Sequence, residues 1–472
     1  MTAEPVALRL ARFAVTLQLR DVPPEILIRA RRSILDASGA AWAASATPDA
    51  QRTAAAVAAV SGAGDVPVYG LDLRLPPASA ALLNGTLVHG LEYDDTYLPG
   101  AVHPTASLLP AVLSAGYAEW ATGAELLCAY IAGLEALARL GRYGGVRLRE
   151  SGFHPTSVLG VFGCAIAAAR LMRLGPEETA MAQGLAVSMT SGTVGHAAEG
   201  AANKRLHPGL AAHAGITAAS LARAGLRGPA RPYEGPRGVF RAFDDEPSRT
   251  AALHRLADEL GLTWAAGELS LKPIPACHLT HGCADAAAVL RRTYAFDPSR
   301  IRKVTARVPA GVVREVCEPI ALKRRPGSSY AAQFSLPYIV AAALTRGRFG
   351  FEEIDESAIG DPAILAVADR VEYEIDPDST YPRHRTGEVI VEFGDGSIIR
   401  HREAVNRGCP DRPLTDDEVS EKFHANATRA GLGHAADAAV RSLAGIEQAP
   451  DGPALVEALT ASGTERQERL GQ

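Results

Sequence analysis

The sequence predicts a mainly α-helical protein: a large all-helical domain interrupted by a smaller α+β lid. Three observations carry this expectation. Up to about residue 265 the apolar residues recur at helical spacing and no strand-rich stretch appears. After Trp264 the chain turns to Pro-broken segments and alternating, strand-like runs. Beyond Thr415 it reads as helix again. Residues 1–268 and 411–472 are therefore assigned to the helical domain and residues 269–410 to the inserted lid. A cleft between two such domains is a usual place for a small-molecule site.

Helices are expected over residues 6–19, 24–45 and 48–61, punctuated by Pro23 and Pro24. The Gly/Pro-rich stretch from Gly62 to Pro77 leaves room for a short VPVYG strand or turn. Further helices are expected near 78–97, 104–121, 123–141, 155–173, 176–191 and 208–225. Acids after Gly123 and Gly175 suit the positive end of a helix dipole. In the lid, ADAAAVLRRTYA and residues 330–346 read as helices, the latter with Pro337 in its first half. IRKVTARVPAG, DRVEYEID, TGEVIVEFG and SIIRHREAV read as strands of an antiparallel sheet, and Gly394-Asp-Gly396 supplies a hairpin turn. Thr415 and Glu418 form a capping box, and the last fifteen or so residues, mostly polar, are expected to fray.

With 472 residues, 47% of them hydrophobic, the chain can bury a large core. A net charge of −5 argues against a general nucleic-acid binder. The six cysteines are scattered, with no CxxC pair and no zinc-finger spacing, so free thiols in a reducing compartment are expected. The N-terminal stretch lacks a signal-peptide core, and no apolar run is long enough to span a bilayer. A soluble, cytoplasmic protein with no nucleic-acid or membrane partner is expected.

The densest group of chemically able residues lies between Asn84 and Leu113: His89, Glu92, Asp94, Asp95, Thr96, Tyr97 and His103. If residues 84–96 are helical, His89, Glu92 and Thr96 share one face. Tyr97-Leu98-Pro99-Gly100 then breaks the helix, and His103-Pro104 opens the next one with His103 at the N-cap. The His-Pro pair recurs at His154-Pro155 and His207-Pro208, each time before a small-residue apolar run. A histidine at the positive end of a helix dipole is held neutral, as a base must be, and the same helix end attracts carboxylates. A single such pair is most simply a histidine tolerated before proline; three, two of them close to acids or a lysine, point to proton transfer on an anionic substrate.

Three further clusters carry charge. Lys204-Arg205 precedes His207-Pro208 and can hold a carboxylate or phosphate; the plain alternative is a solvated basic loop. Lys272, Cys277, His278 and His281 lie at the expected domain junction, where Lys272 could pair with substrate charge and Cys277 or His278 could shuttle a proton; a zinc site there would lack recognised spacing. Lys323-Arg324-Arg325 precedes a helix on whose amides an anion could sit; a disordered basic loop is an equal alternative. Tyr338 reads as core by position. No GxGxxG, no GxxxxGK[ST] and no GxSxG motif occurs, which argues against nucleotide binding and serine hydrolysis.

Taken in order, ILDASGAAWAAS, NGTLVHGLEYDDTYLPGAVHPTASLLPAVL, FHPTSVLGVFGCAIAAARLMRLG, NKRLHPGLAAHAGITAASLARAGLRGP, KPIPACHLTHGCADA and FSLPYIVAAAL make a chain that resembles the MmgE/PrpD family. That family includes 2-methylcitrate dehydratase, cis-aconitate decarboxylase and iminodisuccinate epimerase. The resemblance covers most of the chain, and it is the joint order and spacing of the pieces that is specific. It implies a helical domain built from both chain ends, an α+β lid, a homodimer, no metal or organic cofactor, and a di- or tricarboxylate substrate in the interdomain cleft. Carried over by position, it implies a site containing Thr96, His103, His154, Lys204, Lys272 and Tyr338, with the acidic position on Glu92 or on Asp94-Asp95. Two departures bear on the reaction. The family motif Asp-aromatic-Asp-Asp-Thr reads Glu92-Tyr93-Asp94-Asp95-Thr96 here, and the longer glutamate would reshape the pocket. Where the decarboxylase has a histidine five residues after the lid lysine, this chain has Cys277, with His278 beside it, which argues against cis-aconitate decarboxylation. The segment between Thr96 and His103 is also one residue longer.

The expected activity is that of a cofactor-free lyase acting on a small polycarboxylate, with dehydration first and epimerisation or decarboxylation as alternatives. His103, His154, Asp94, Asp95 and Lys204 are the expected catalytic groups. Glu92, Thr96, Lys272, Cys277, His278, Arg325 and Tyr338 are the expected substrate contacts. A neutral His103 or His154 would take the α-proton, the other or an acid of the Glu92–Asp95 group would protonate the leaving hydroxyl, and Lys204, Lys272 and Arg325 would stabilise the carbanion. The rivals are a divalent-metal enzyme using His89 and Asp94-Asp95, and a binding protein for organic acids.

Overall fold

The computed structural model describes residues 3–195, 201–243 and 250–462, so the end expected to fray lies largely outside the described residues. The fold is mainly α. Two compact units divide the chain: one takes the described residues of Met1–His196, Asn203–Leu269 and Thr415–Gln472, the other those of Ala197–Ala202 and Ser270–Leu414.

The first unit opens with α1 (Val6–Thr16), α2 (Pro24–Ser45) and α3 (Pro48–Ser61). Proline at the first position, already at helical φ, starts α2 and α3. The Gly/Pro-rich stretch that follows is an antiparallel hairpin, β1 (Val66–Val68) with β2 (Leu71–Leu75). Then come α4 (Pro77–His89), α5 (Pro104–Ala118), α6 (Gly123–Glu150), α7 (Pro155–Leu171), α8 (Pro176–Ala186) and α9 (His207–Arg223). Thr122 and Glu125 cap the start of α6 reciprocally, each side chain accepting from the other's backbone N–H. Helix α7 is buried over nearly its whole length and packs against α5, α6, α8 and α9.

Two glycines let α9 lie directly on α4. A Cβ on Gly209 would sit 2.0 Å from the carbonyl oxygen of Leu82, and one on Gly85 would sit 2.6 Å from Gly209 Cα. This backbone-to-backbone contact sets the C-terminal end of α4 beside the N-terminal end of α9. It explains why a chain so rich in small residues packs so closely here.

Two helix boundaries differ most from expectation. Helix α6 runs to Glu150 rather than stopping near 141, because its apolar face continues through Leu140, Gly144, Gly145 and Leu148. Helix α4 stops at His89 and does not reach Thr96, so His89, Glu92 and Thr96 do not share a helical face. Gly90 caps it, Glu92 takes a left-handed φ of 52°, and Thr96–Tyr97 is extended. The polar side chains of residues 92–95 bind groups elsewhere in the unit, and those bonds displace the local helical pattern.

The second unit contains α10 (His281–Thr293), β3 (Ile301–Val308), α11 (Ser329–Gln333), α12 (Leu336–Arg346), β4 (Val371–Ile375), β5 (Gly387–Phe393) and β6 (Ile398–Glu403). The sheet order is β4-β3-β5-β6. It is mixed, not antiparallel: β3 pairs with β4 in parallel, while β5 runs antiparallel to β3 and to β6. The register places Val304 against both Val371 and Val391, stacking apolar residues onto the apolar faces of α10 and α12. Gly396, at φ 85°, makes the expected turn between β5 and β6. Residues 330–346 form two helices, not one: Ser335 caps α12 by accepting from Tyr338 N–H, and Pro337 sits in the first turn, where its missing donor costs nothing.

The chain returns to the first unit as α13 (Asp416–Arg429), α14 (Gly433–Ala444) and α15 (Gly452–Thr460). Helix α13 packs along α2, where Trp42 meets Phe423 with ring centroids 5.0 Å apart. Trp42 Nε1 also donates to Leu459 O at 2.9 Å. All six cysteines are buried free thiols. Among the described residues no helix is long and apolar enough to cross a membrane.

Candidate active site

The end of α4, the turn after it and the starts of α5, α7 and α9 bring four imidazoles together within the first unit. The ring centroids of His89 and His103 are 4.9 Å apart, those of His103 and His154 6.2 Å, and those of His154 and His207 5.1 Å. His103 and His154 occupy the N-cap positions of α5 and α7, as the His-Pro spacing predicts. His207 differs by one place, being the first residue of α9 rather than its cap.

Each ring is fixed on its Nδ1 side. His89 Nδ1 donates to the Asp94 carboxylate at 2.9 Å. His103 Nδ1 donates to the backbone carbonyl of Asp95 at 2.8 Å, with Thr96 Oγ1 at 3.4 Å and Asp94 Oδ2 at 3.5 Å. A carbonyl can only accept, so the neutral His103 ring carries its proton on Nδ1 and its lone pair on Nε2. His154 Nδ1 and His207 Nδ1 share a hydrogen bond of 2.9 Å. The His103 backbone is held as well, its N–H donating to Thr156 Oγ1 at 3.0 Å. Burial, reinforced by Lys204 and by the other three imidazoles, drives His154 well below the usual histidine range and keeps it uncharged.

Lys204 and Glu92 form a buried ion pair beside the rings, Nζ to Oε1 2.5 Å, and the same oxygen lies 3.8 Å from His89 Nε2. Arg205 turns the other way, onto Asp49 at 2.8 Å. Of the basic pair, only the lysine therefore faces the histidines.

Asp95 stands behind this cluster. Its carboxylate accepts from Thr105 N–H at 3.2 Å and from the Thr105 hydroxyl, which lies 2.6 Å from Tyr130 OH. Burial pushes Asp95 up to about 7, against the opposing pull of the Thr105 hydrogen bonds and with Asp94 adding to it. The turn is also anchored from the C-terminal helices. Lys422 Nζ donates to Tyr93 O at 2.9 Å, lies 3.5 Å from the centre of the Tyr93 ring and pairs with Asp36 at 2.7 Å.

Thus His103, His154, Lys204, Glu92, Asp94, Asp95 and Thr96 are brought into one cluster. His89, named from the sequence as a ligand in the rival metal reading, and His207, named as the third His-Pro pair, belong to it too, although neither is among the expected catalytic groups or substrate contacts. The third His-Pro pair was the signal for His207.

The remaining expected contacts lie in the second unit. Lys272 is fully buried. Cys277 N–H donates to Gln333 O at 2.9 Å, and Asn406 Nδ2 lies 3.2 Å from His278 Nε2. Tyr338 is buried in the core of this unit, and its hydroxyl donates to Glu353 O at 2.7 Å. The basic loop is tied down internally. Lys323 donates to the carbonyls of Glu315 and Phe334, Arg324 to that of Val371, and Arg325, 60% exposed, forks onto Asp369. The loop expected to hold an anion thus has its three cations engaged with the protein's own oxygens.

The match to known families covers nearly all of this length. The MmgE/PrpD N-terminal domain matches residues 8–251 and the MmgE/PrpD C-terminal domain residues 274–444. Human cis-aconitate decarboxylase is 30% identical over 428 residues, covering 88% of this chain and 86% of that protein. The mouse cis-aconitate decarboxylase is 29% identical over 433 residues, covering 88% and 85%. A cis-aconitate decarboxylase-like protein of Aspergillus oryzae is 28% identical over 435 residues, covering 89% of each.

Proposed function

Because the chain belongs to the MmgE/PrpD family, we propose that it is a lyase acting on a small di- or tricarboxylate by proton transfer at the carbon next to a carboxylate, and that the reaction is dehydration. The observation that carries this reading is the packing of His103, His154 and His89 beside the buried Lys204–Glu92 pair. His103 is the base: Asp95 O fixes its tautomer, which directs the Nε2 lone pair away from that anchor, and its side chain is 14% exposed while those of His89 and Asp94 are fully covered. Taking the α-proton leaves an aci-carboxylate dianion, which the Lys204 ammonium stabilises in surroundings poor in water.

The leaving hydroxyl needs a proton. Asp94 is engaged by His89, Glu92 by Lys204 and Asp95 by Thr105. The acid role therefore falls to the His103 imidazolium, which carries the proton it has just taken, rather than to the uncharged His154 or the acidic turn. No cofactor enters this scheme.

Loss of CO2 is the second reading, and the cis-aconitate decarboxylases among the relatives favour it. The same lysine would stabilise the carbanion left by CO2, and the same imidazoles would protonate it. Proton NMR in D2O with 2-methylcitrate, citrate, cis-aconitate and iminodisuccinate separates the outcomes. A new vinyl signal with deuterium uptake supports dehydration. Loss of a carboxylate supports the second reading, and exchange without net product means epimerisation. Absence of exchange on every acid, together with unchanged ligand binding by His103→Ala, would leave an organic-acid binding protein.

A further inference from the structure

We propose that the same cluster is a binding site for a divalent transition ion of the zinc class, held by His89, His103 and His154, and that the ion inhibits the enzyme. The inhibition rests on the proton-transfer reading above; the binding does not. One ring nitrogen from each of the three histidines lies within 4.8 Å of the others. An ion bound at 2.0–2.1 Å needs nitrogens roughly 3.3 Å apart, so each ring would move by less than about 1 Å.

The surroundings match what such ligands require. A metal-bound histidine almost always gives its other ring N–H to a carboxylate, a carbonyl or water. Here His89 gives Nδ1–H to Asp94, His103 gives it to Asp95 O, and His154 Nδ1 is bonded to His207. The lone pairs of His89 and His103 therefore lie on Nε2. His89 Nε2 is buried and has no hydrogen-bond partner, an arrangement that a buried ring nitrogen rarely keeps without a ligand.

The ligand set selects the ion. Three imidazoles suit zinc, cobalt, nickel or copper, whereas magnesium and calcium demand oxygen. Asp94 and Asp95, the ligands expected for magnesium, are engaged by His89 and Thr105. Three protein ligands leave a fourth position for water or a substrate carboxylate. The ion takes the lone pair that His103 needs as a base, so bound metal and turnover exclude each other.

The test uses the full chain, stripped with a chelator and titrated with Co2+ while the visible spectrum is read. The expected result is the intense absorption of a tetrahedral cobalt centre, one ion per chain, displaced by Zn2+. His89→Gln and His154→Gln each abolish it. Asp94→Asn, which changes only the outer partner, weakens binding by about 10–100-fold. Circular dichroism identifies a variant that has lost its fold, and the other two then carry the test. Zn2+ should stop turnover and a chelator restore it. Absence of the cobalt band, or an identical band in His89→Gln and His154→Gln, overturns the site, and activation by Zn2+ overturns the inhibitory assignment. Proton exchange assayed in chelator-stripped protein tests the lyase reading alone, so the two can fail separately.

Discussion

His103 combines a fixed tautomer, a helix N-cap position and the partial exposure a substrate needs. His103→Gln should lower turnover by about 10²–10⁴-fold, the usual worth of a general base, with the circular dichroism spectrum unchanged. Glu92 is the buried partner of Lys204. Glu92→Gln removes the carboxylate that pairs with a buried ammonium and should destabilise the protein by about 3–5 kcal/mol in urea unfolding. Asp95 gives a pH signature. Its native carboxyl holds a proton up to about 7, while the unfolded chain releases it near 3.8. The native state thus binds more protons across that window, so stability falls as pH rises from about 4 to about 7 and then levels off. In Asp95→Asn that loss should disappear, and melting temperatures at pH 5 and pH 7 should lie closer together than in the parent.

At the scale of elements, the crossing of α9 on α4 places Lys204 and His207 next to the end of α4. Gly209→Ala puts a methyl 2.0 Å from Leu82 O, a contact that only separation of the two helices relieves. A cost of about 1–3 kcal/mol is expected, together with a fall in activity as the Lys204–Glu92 geometry opens. Denaturant midpoints and initial rates on the same preparation check both. Most helices of the first unit were legible because their apolar residues recur at helical spacing and prolines mark their starts. The end of α4 was not. Residues 84–96 read as a helix on local pattern, yet the carboxylates of Glu92, Asp94 and Asp95 bind Lys204, His89 and Thr105, and no local pattern encodes those partners. The parallel pairing of β3 with β4 was hidden for a similar reason: alternation marks a strand but not the direction of its neighbour.

For the molecule as a whole, the C-terminal helices complete the first unit. Lys422 holds Tyr93 and Asp36, Trp42 packs on Phe423 and donates to Leu459, and Arg31 pairs with Glu447. A chain truncated before Thr415 should lose soluble expression, because Asp36 would lose Lys422 and the apolar face of α2 that packs on α13 would be exposed to water. Lys422→Met should weaken the turn that carries Glu92, lowering turnover along with stability, while Lys422→Arg should recover part of both.

By itself the sequence determined the helical class, the interrupted order of the chain and the family, because these rest on periodicity and on the order of short motifs. It also singled out His103, His154 and Lys204, whose neighbours in the chain, proline and small residues, betray helix starts. Only the tertiary structure decided that His89 and His207 join them, that Asp94, Asp95 and Glu92 are engaged by His89, Thr105 and Lys204, and that Arg325 and Tyr338 bind oxygens of their own unit. Those outcomes depend on which polar groups meet once the helices have packed, and the helices pack by the shape of their small-residue faces, not by the chemistry of the groups they bring together.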